Sequence, residues 1–492
     1  MAAKYMPHRL HPQDISYAVF SIKPNAIGAR LPRPPKIIPA GSVCTPYNPF
    51  MTIVPWTIRG LRHALATGAS RPTVLADQAL AQSNRNPGHN TYLWQDALWT
   101  RSEAARVEAM PRAAGGPFGD GRSALWGLPV SVKDCFDLAG APTSCGVHFY
   151  RELNGNAARD SWLVAQLRAS GAVITGKTHL HPLAYGITGE NPEFGDCLQP
   201  GNPNALTGGS SSGAVASVLE GSAVAAIGTD TGGSVRVPAA LCGLAGYRST
   251  IGRGDWRGGA HLAESFDTMG WLFRDLEDAP FLAAPFAPAQ AASISPPTPA
   301  LTRCAVVSES FLHDCEPGIV ASFHAAIREL EALGLELSSI DPGWWAESTE
   351  IFAPIQAWEA ARLHAGLFDR IQPAIRERLE WGARITADEI AALRHAAFNA
   401  RMNELFAAHQ LLLLPCAPVP RLVAGADHSG TRSRLLRYTT PFSLAGVPVV
   451  TIPCANGGMQ LAAARGCDEP LLQLAARLGA RRNAPAPASR TL

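Results

Sequence analysis

The order of apolar and polar residues along the chain predicts alternating strands and helices. Leu128, Val130 and Val132 alternate with polar or small residues, which is the two-residue period of a strand. Apolar residues at helical spacing follow over 161–170, and an aliphatic run follows over 172–175. A strand, a helix and a strand in this order predict a βαβ unit. We therefore expect an α/β fold.

Similar patterns recur on both sides of this unit. Asp160 and Gly171 are the expected caps of the helix over 161–170. Residues 179–204 are rich in turn-forming residues and predict mostly loop. Helices are also predicted at 58–66, 72–82, 93–110, 211–220 and 319–333, with a helix-rich insert at 355–409. Strands are also predicted at 222–228, 411–415 and 458–461, and the segment 441–453 is expected to return to the sheet.

Proline-rich and glycine-rich segments suggest the domain boundaries. Residues 1–55 contain LPRPPKIIPAG and TPYNPF and predict an irregular N-terminal extension. Residues 482–492 predict a loose C-terminal tail. The segment between them, 56–481, is expected to form one catalytic domain, with a glycine-rich loop at 113–121.

Charge and cysteine content exclude several function classes. The formal net charge is +2, so neither a nucleic-acid partner nor a membrane surface is expected. No apolar run reaches the roughly 18 residues of a transmembrane helix, and the N-terminus lacks a secretory core. Ten cysteines without a C-x-x-C pair predict reduced, mostly buried thiols. The expected compartment is the cytoplasm.

Two Gly-Gly-Ser units, at 208–210 and 232–234, enclose a helix pattern and an apolar run. Paired glycines allow the backbone to approach a ligand closely and present the following serine on an amide-rich turn. Upstream, residues 127–134 read Gly-Leu-Pro-Val-Ser-Val-Lys-Asp. Both the sequences of these three segments and their order along the chain resemble those of the amidase signature family. The resemblance implies that family's α/β fold, a twisted mixed sheet sandwiched between helices.

The resemblance also assigns a Ser–Ser–Lys triad. Ser234 is the expected nucleophile, and Ser210 would pass its proton to Lys133. A free lysine is charged at neutral pH, so Lys133 has to be buried and without a carboxylate partner to act as a base. Asp134 follows directly, but on a strand it points to the opposite face.

Further residues receive supporting roles from the same resemblance. Backbone N–H groups of Thr231, Gly232, Gly233 and Ser234 would form the oxyanion hole. Asp230 and Arg236 would brace this loop, and Ser211 would support Ser210 by hydrogen bonding. The loop at 179–204 would line the substrate cavity, with Tyr185, Gly186 and Thr188 as pocket residues.

Two glycine motifs offer other interpretations. Residues 209–213 fit the G-x-S-x-G elbow of α/β-hydrolases, but that elbow follows a strand, and 199–204 do not predict one. Residues 228–233 resemble the start of a P-loop, but Ser234 and Val235 occupy the positions of its Lys and Ser or Thr. ATP binding is therefore not expected.

No metal site and no cofactor are expected. His179 and His181 are two residues apart and lack a third ligand at a recognisable spacing. The resemblance to the amidase signature family likewise implies neither a metal nor an organic cofactor.

The expected function is hydrolysis of a small-molecule carboxylic amide through an acyl-enzyme by a stand-alone amidase. The sequence does not decide whether the protein forms a homodimer. Apolar residues at the start of the insert predict a wall that favours an aryl or hydrophobic amide: Phe352, Ile355, Trp358, Leu363 and Leu367. Three alternatives stay open: the A subunit of a glutamine-dependent amidotransferase, a carbamate or ester hydrolase, and a non-catalytic homologue. The intact triad argues against the last.

Overall fold

The computed structural model describes residues 56–85, 87–110, 124–286 and 300–484. These residues fall within one compact unit that spans Val54–Leu492. The extension predicted at 1–55, the loop predicted at 113–121 and residues 485–492 of the predicted tail lie outside the described residues. The other residues predicted for the tail, 482–484, are described, and the last helix extends to Asn483.

The described residues form fourteen strands. They are β1 (Tyr92–Trp94), β2 (Pro129–Lys133), β3 (Val173–Thr178), β4 (Leu198–Gln199), β5 (Asn202–Leu206), β6 (Ala225–Asp230), β7 (Ala245–Arg248), β8 (Thr268–Phe273), β9 (Arg303–Val307), β10 (Glu336–Ile340), β11 (Leu411–Pro415), β12 (Leu422–Val423), β13 (Val449–Pro453) and β14 (Gly458–Ala463).

The same residues form fourteen α-helices. They are α1 (Ile58–Thr67), α2 (Pro72–Ser83), α3 (Ala97–Glu108), α4 (His148–Asn154), α5 (Trp162–Ala169), α6 (Ser212–Glu220), α7 (Arg236–Leu241), α8 (Pro317–Ala332), α9 (Ser348–Leu363), α10 (Pro373–Arg384), α11 (Ala387–Ala392), α12 (His395–His409), α13 (Thr431–Ala445) and α14 (Asp468–Asn483).

Eleven strands form the main sheet, in the order β1-β3-β2-β6-β8-β7-β13-β14-β11-β9-β10. β2 runs parallel to both β3 and β6, whereas β6 is antiparallel to β8, so the sheet is mixed. The predicted βαβ unit is confirmed, because α5 connects the parallel strands β2 and β3. The α/β fold class is confirmed as well.

This topology brings the two motif segments together. β2 and β6 are parallel neighbours, so their carboxyl ends, Lys133 and Asp230, meet at one edge of the sheet. All residues of both strands are buried, including the polar residues Ser131 and Lys133 of β2 and Thr229 and Asp230 of β6. Ligands of open α/β sheets commonly bind outside the carboxyl ends of the strands.

The structure differs from the predictions at two helix starts. The segment 93–110, expected as one helix, begins instead with strand β1, and α3 begins at Ala97 after the cap Asp96. For α5 the cap is Ser161, whose hydroxyl accepts the N–H of Val164 at 3.3 Å. Asp160, the expected cap, pairs with Arg168 instead.

Candidate active site

Lys133 lies at the end of β2, and its side chain is completely buried. Its Nζ donates hydrogen bonds to Oγ of Ser210 at 2.8 Å, Oγ of Ser211 at 3.2 Å and Oγ1 of Thr229 at 2.7 Å. Three hydroxyl groups therefore surround the amine, and no carboxylate of the described ranges is ion-paired with it.

The protonation state of Lys133 follows from this environment. Burial lowers the pKa of Lys133 to about 8, and the nearby Cys135 and Asp267 offset only part of the shift. The neighbouring carboxylate, Asp134, is paired with Lys177 instead, at 2.7 Å between Oδ1 and Nζ. Lys133 therefore meets both conditions for a general base: burial and the absence of a carboxylate partner.

The two motif serines lie at the starts of two helices. Ser210 is fully buried and precedes α6, whereas Ser234 precedes α7 and is 4% exposed. The N–H of Ser211 donates to the carbonyl oxygen of Ser234 at 3.3 Å, which joins the two turns. No hydrogen bond within the described ranges uses the Ser234 hydroxyl, so the expected contact between the hydroxyls of Ser234 and Ser210 is not formed there.

A buried carboxylate, Asp230, organises the loop after β6. It accepts the N–H groups of Gly233 at 2.9 Å and Val235 at 3.1 Å. It is also paired with Arg236 and Arg248, each at 2.8 Å. Burial opposes ionisation of Asp230, but the two guanidinium groups outweigh it and hold its pKa well below the usual range.

Arg236 connects this loop to the distant C-terminal part of the fold. Its guanidinium donates to the carbonyl oxygen of Thr439 at 2.9 Å and to Ser443 at 2.8 Å, both on α13. It also donates to Oε1 of Gln460 on β14 at 2.7 Å. The bracing that the family resemblance implies for Asp230 and Arg236 thus has a clear physical basis in this chain.

The oxyanion-hole residues differ from expectation at one position. The N–H of Gly233 is engaged by Asp230, whereas no hydrogen bond among the described residues uses the N–H of Thr231, Gly232 or Ser234. Those three N–H groups are therefore free donors. A side chain at position 232 would clash, because a Cβ there would lie 2.9 Å from the Phe352 ring.

Ser211 is hydrogen-bonded to the lysine and to the strand that leads into the second serine motif. Its Oγ accepts from Lys133 and donates to the carbonyl oxygen of Thr229 at 3.2 Å. A strand does precede the motif, contrary to expectation, because β5 spans Asn202–Leu206 and overlaps the end of the predicted loop. However, β5 belongs to a small antiparallel sheet with β4 and β12, outside the main sheet.

The two loop histidines take different positions. His179 uses both ring nitrogens, Nδ1 with Oγ of Ser212 at 2.8 Å and Nε2 with the carbonyl oxygen of Gly195 at 2.9 Å. His181 packs on the backbone of Gly186, where a Cβ would lie 2.0 Å from its Nε2. The described residues include no cluster of three or more potential metal ligands.

A cavity of about 380 Å³ lies beside the first serine motif, and none of the three triad side chains lines it. His181 and Ile187 line it, and both are hydrogen-bonded to the backbone of the first serine motif, at 3.2 Å to Ser210 and 2.8 Å to Gly209. Of the predicted pocket residues, Gly186 and Thr188 line this cavity. Tyr185 is buried behind it, and its carbonyl oxygen accepts from Arg378.

The structure does not bring the expected apolar wall together. Phe352 and Ile355 are buried, and the Phe352 ring packs against Phe266 with 4.8 Å between centroids, close to Gly232. Trp358 instead lines a separate surface cavity. The last two residues of the expected wall are partly exposed: Leu363 and Leu367.

Sequence reasoning missed several residues that shape the site. Thr229 accepts from Lys133, Thr439 donates to the carbonyl oxygen of Gly232 at 2.6 Å, and Asp267 accepts from Thr231 at 2.6 Å. Thr229 had a usable signal, since it is a polar residue inside an apolar strand that leads into the motif. Thr439 lies more than 200 residues from the motif, and no local pattern connects the two.

Comparison with known proteins agrees with this geometry. A family model described as Amidase matches residues 77–472. The chain belongs to the amidase family. Indoleacetamide hydrolase of Pseudomonas savastanoi is 32% identical to it over 449 residues, which cover 83% of this chain and 95% of that relative.

Two further similarities help to define the family relationship. The A subunit of glutamyl-tRNA(Gln) amidotransferase from Roseiflexus castenholzii is 30% identical over 468 residues, 85% of this chain and 94% of that relative. A solved structure described as an amidase superposes with a TM-score of 0.76 at 29% identity, covering 86% of this chain and 99% of the other. This amidase-family chain is therefore a hydrolase of amide C–N bonds.

No helix of the described ranges is both long and apolar enough to cross a membrane.

Proposed function

We propose that this amidase acts alone and hydrolyses a carboxylic amide through an acyl-enzyme on Ser234. The observation that carries the proposal is the environment of Lys133: a buried amine without a carboxylate partner, 2.8 Å from Oγ of Ser210. A lysine in this environment loses its proton far more easily than one in water, so it can serve as a general base near neutral pH.

The proposed reaction uses these groups in the roles that the family resemblance assigns to them. Ser234 Oγ attacks the amide carbon while its proton passes through Ser210 to Lys133. The N–H groups of Thr231, Gly232 and Ser234 stabilise the negative charge that develops on the carbonyl oxygen. Collapse of this intermediate breaks the C–N bond, and the leaving nitrogen takes the proton back from Lys133. Water then attacks the acyl-enzyme by the same route and releases the acid and Ser234.

The substrate is proposed as an aryl or hydrophobic amide. The name of the Pseudomonas savastanoi relative indicates an aryl-substituted acetamide, and Phe352 places an aromatic ring close to Gly232. Indole-3-acetamide, an anilide and glutamine form a suitable panel for the purified chain. The expected result is release of ammonia or amine from an aryl amide in the absence of ATP and of any partner protein.

The main alternative is the A subunit of an amidotransferase, which the similarity to the Roseiflexus castenholzii protein supports. Such a protein would hydrolyse glutamine efficiently only when its partner proteins are added. Activity that requires such partners, or a kcat/KM for glutamine above that for the aryl amides, would contradict the stand-alone proposal. Hydrolysis of a carbamate or ester in preference to amides would keep the triad and revise the substrate class.

A further inference from the structure

Two arginines without acidic partners line the cavity beside the first serine motif. Arg378 lies on α10 and Arg432 in the first turn of α13, and both are half-buried. Both guanidinium groups lie over the ring of Tyr185, at 5.5 and 5.6 Å from its centroid. No ion pair within the described part of the chain involves either arginine.

The remaining contacts of these arginines are neutral. Arg378 donates to the carbonyl oxygen of Tyr185, and Arg432 donates to Oε1 of Gln356 at 3.0 Å. Each guanidinium carries five N–H donors, so most of them remain unused. Two adjacent cations in a partly desolvated wall repel each other, and a bound anion would relieve that repulsion.

The helix that carries Arg432 adds to the positive potential. The N-terminus of α13 has no side-chain cap and no acidic residue in its first turn. Cations are normally disfavoured at this end of a helix, where the free N–H groups already attract negative charge. Arg432 therefore lies at a position that favours a ligand of opposite charge.

The acidic residues on the same cavity accept hydrogen bonds from other groups, and the charge of Glu190 only partly offsets the lowering of the Arg378 pKa by burial. Glu190 accepts from Oγ1 of Thr188 at 2.6 Å. Asp196 accepts the N–H of Asn191 at 3.0 Å, and the exposed Asp427 accepts from Ser429. None of these three carboxylates forms an ion pair with Arg378 or Arg432 in the described structure.

His181 connects the cavity of the arginine pair to the backbone of the first serine motif. His181 lines the cavity, its N–H donates to the carbonyl oxygen of Ser210, and its Nδ1 has no hydrogen-bond partner among the described residues. Burial keeps the pKa of His181 well below its ordinary value, and Arg378, Arg432 and Lys133 lower it further. The imidazole is therefore neutral, which leaves the two arginines as the fixed positive charges of the cavity wall.

We propose that the substrate carries a carboxylate group, which Arg378 and Arg432 bind while Ser234 attacks the amide. Arginine presents paired N–H donors that match the two oxygens of a carboxylate. The inference rests on the proposed amidase function and narrows it, because an aryl or alkyl spacer would link the amide to the carboxylate. Neutral amides would bind without this anchor.

Matched substrates test the inference. Each primary amide in the set ends in a carboxylate, on alkyl or phenyl spacers of several lengths, and is paired with a methyl-terminated analogue of equal length. The unmodified protein should favour the best carboxylate amide over its analogue by at least about tenfold in kcat/KM. Arg378→Gln and Arg432→Gln should each lower that kcat/KM about ten- to a hundredfold, the effect of a lost charge-assisted hydrogen bond.

The same variants should lower kcat/KM for the methyl-terminated analogues by a clearly smaller factor, so that the preference for the carboxylate amides falls, and circular dichroism verifies that the variants are folded. Arg384→Gln is the matched control, since Arg384 is an exposed arginine on the same helix as Arg378. It should behave like the unmodified protein on both members of each pair. Equal kcat/KM for the two members of every pair, with no effect of the arginine variants, would overturn the inference and leave the amidase function intact.

A binding measurement separates this inference from the proposed function. Calorimetry on Ser234→Ala with the carboxylate amides should detect binding that weakens at least about tenfold when Arg378 and Arg432 are both changed to Gln. Such a loss of binding would support the carboxylate site even if the unmodified protein hydrolysed none of the amides. The absence of hydrolysis would contradict only the proposed function. Binding unaffected by the double change would contradict the carboxylate site.

Discussion

At the residue scale, two buried lysines on neighbouring strands have opposite environments. Lys177 on β3 is neutralised by Asp134, whereas Lys133 on β2 has only hydroxyl acceptors. The first arrangement stabilises a charged amine, and the second favours a neutral one. Because Asp134 is held by Lys177 and by Ser144, it cannot turn its charge toward Lys133.

The pH dependence of the reaction should reflect the low pKa of Lys133. Below about pH 8 the amine is protonated and cannot accept the serine proton, so kcat/KM should rise with pH and level off above this value. Lys133→Met should remove this limb and lower kcat/KM by about a hundredfold or more. The measurement is a pH–rate profile of both proteins, with circular dichroism to verify folding. A Met variant that retained the limb would show that another group is the base.

Residue identities at the site could be predicted only where a local motif exists. The motif spacing pointed to Lys133 and Ser210, which the fold brings within 2.8 Å of each other. Arg378 and Arg432 come from the helical insert and from a separate helix, and neither belongs to a motif that fixes its role. Their proximity depends on the packing of distant segments and has no counterpart in the local sequence.

At the element scale, the loop between β6 and α7 owes its shape to buried charge. The carboxylate of Asp230 accepts three backbone N–H groups and is paired with two arginines. One of these arginines, Arg236, reaches α13 and β14. Breaking a buried ion network leaves charges without partners, which costs far more than breaking a surface ion pair. The orientation of Ser234 therefore depends on the stability of this network.

Asp230→Asn should lower the free energy of unfolding by about 3–5 kcal/mol, because Arg236 and Arg248 would lose their shared counter-charge. Urea unfolding followed by circular dichroism measures the change. The control is Arg101→Gln, which breaks an ion pair of 2.7 Å whose two side chains are both more than half exposed. The control should cost at most about 1 kcal/mol. Equal effects of the two substitutions would contradict the bracing role of Asp230.

The contact between α9 and α10 is a second sensitive feature at this scale. A Cβ at Gly382 would lie 2.0 Å from the carbonyl oxygen of Ala357, so the two helices can approach only with glycine at this position. Gly382→Ala should lower the free energy of unfolding by about 1–3 kcal/mol. The control is Gly343→Ala, where the nearest atom is 3.8 Å away. A Gly382→Ala protein as stable as this control in urea unfolding would contradict the packing described.

Element prediction succeeded where apolar periodicity was strong and failed at short elements. The strand β2 and the helix α5 follow their patterns to within two residues. The strand β1 was missed because it has only three residues and pairs with β3, which is far away in sequence. The strand β5 was missed because it begins with polar residues, and it pairs with the distant β12 as well as with the adjacent β4. Such strands form because the edge of another strand is available for pairing, and the local sequence pattern does not predict this.

At the scale of the whole molecule, the fold is held together without disulfides in the described part of the chain, where all nine cysteines are free thiols. Titration with a thiol reagent after unfolding without reductant should give all ten cysteines of the sequence. The native protein should react at fewer, since several thiols are buried. The thermal midpoint should be the same with and without dithiothreitol. A lower titre after unfolding would reveal a disulfide.

The overall architecture could be predicted from the sequence because two separated motifs fix a known sheet topology. The family match over 77–472 agrees with that prediction. Substrate preference could not be predicted in the same way. The expected apolar wall separates in the structure, with Phe352 near the triad and Trp358 at another surface, while arginines line the cavity. The relative positions of the helices in the insert decide which side chains line the cavity. The apolar periodicity of the sequence does not reveal those positions.

Covalent labelling tests the central claim most directly. A serine-directed fluorophosphonate, followed by peptide mass spectrometry, should modify Ser234 in the unmodified protein and nothing in Ser234→Ala. The rate of labelling should rise with pH along the same limb as kcat/KM, because the same neutral lysine activates the serine. Modification of Ser211 instead of Ser234, or labelling that persists in Ser234→Ala, would contradict the assignment of the nucleophile.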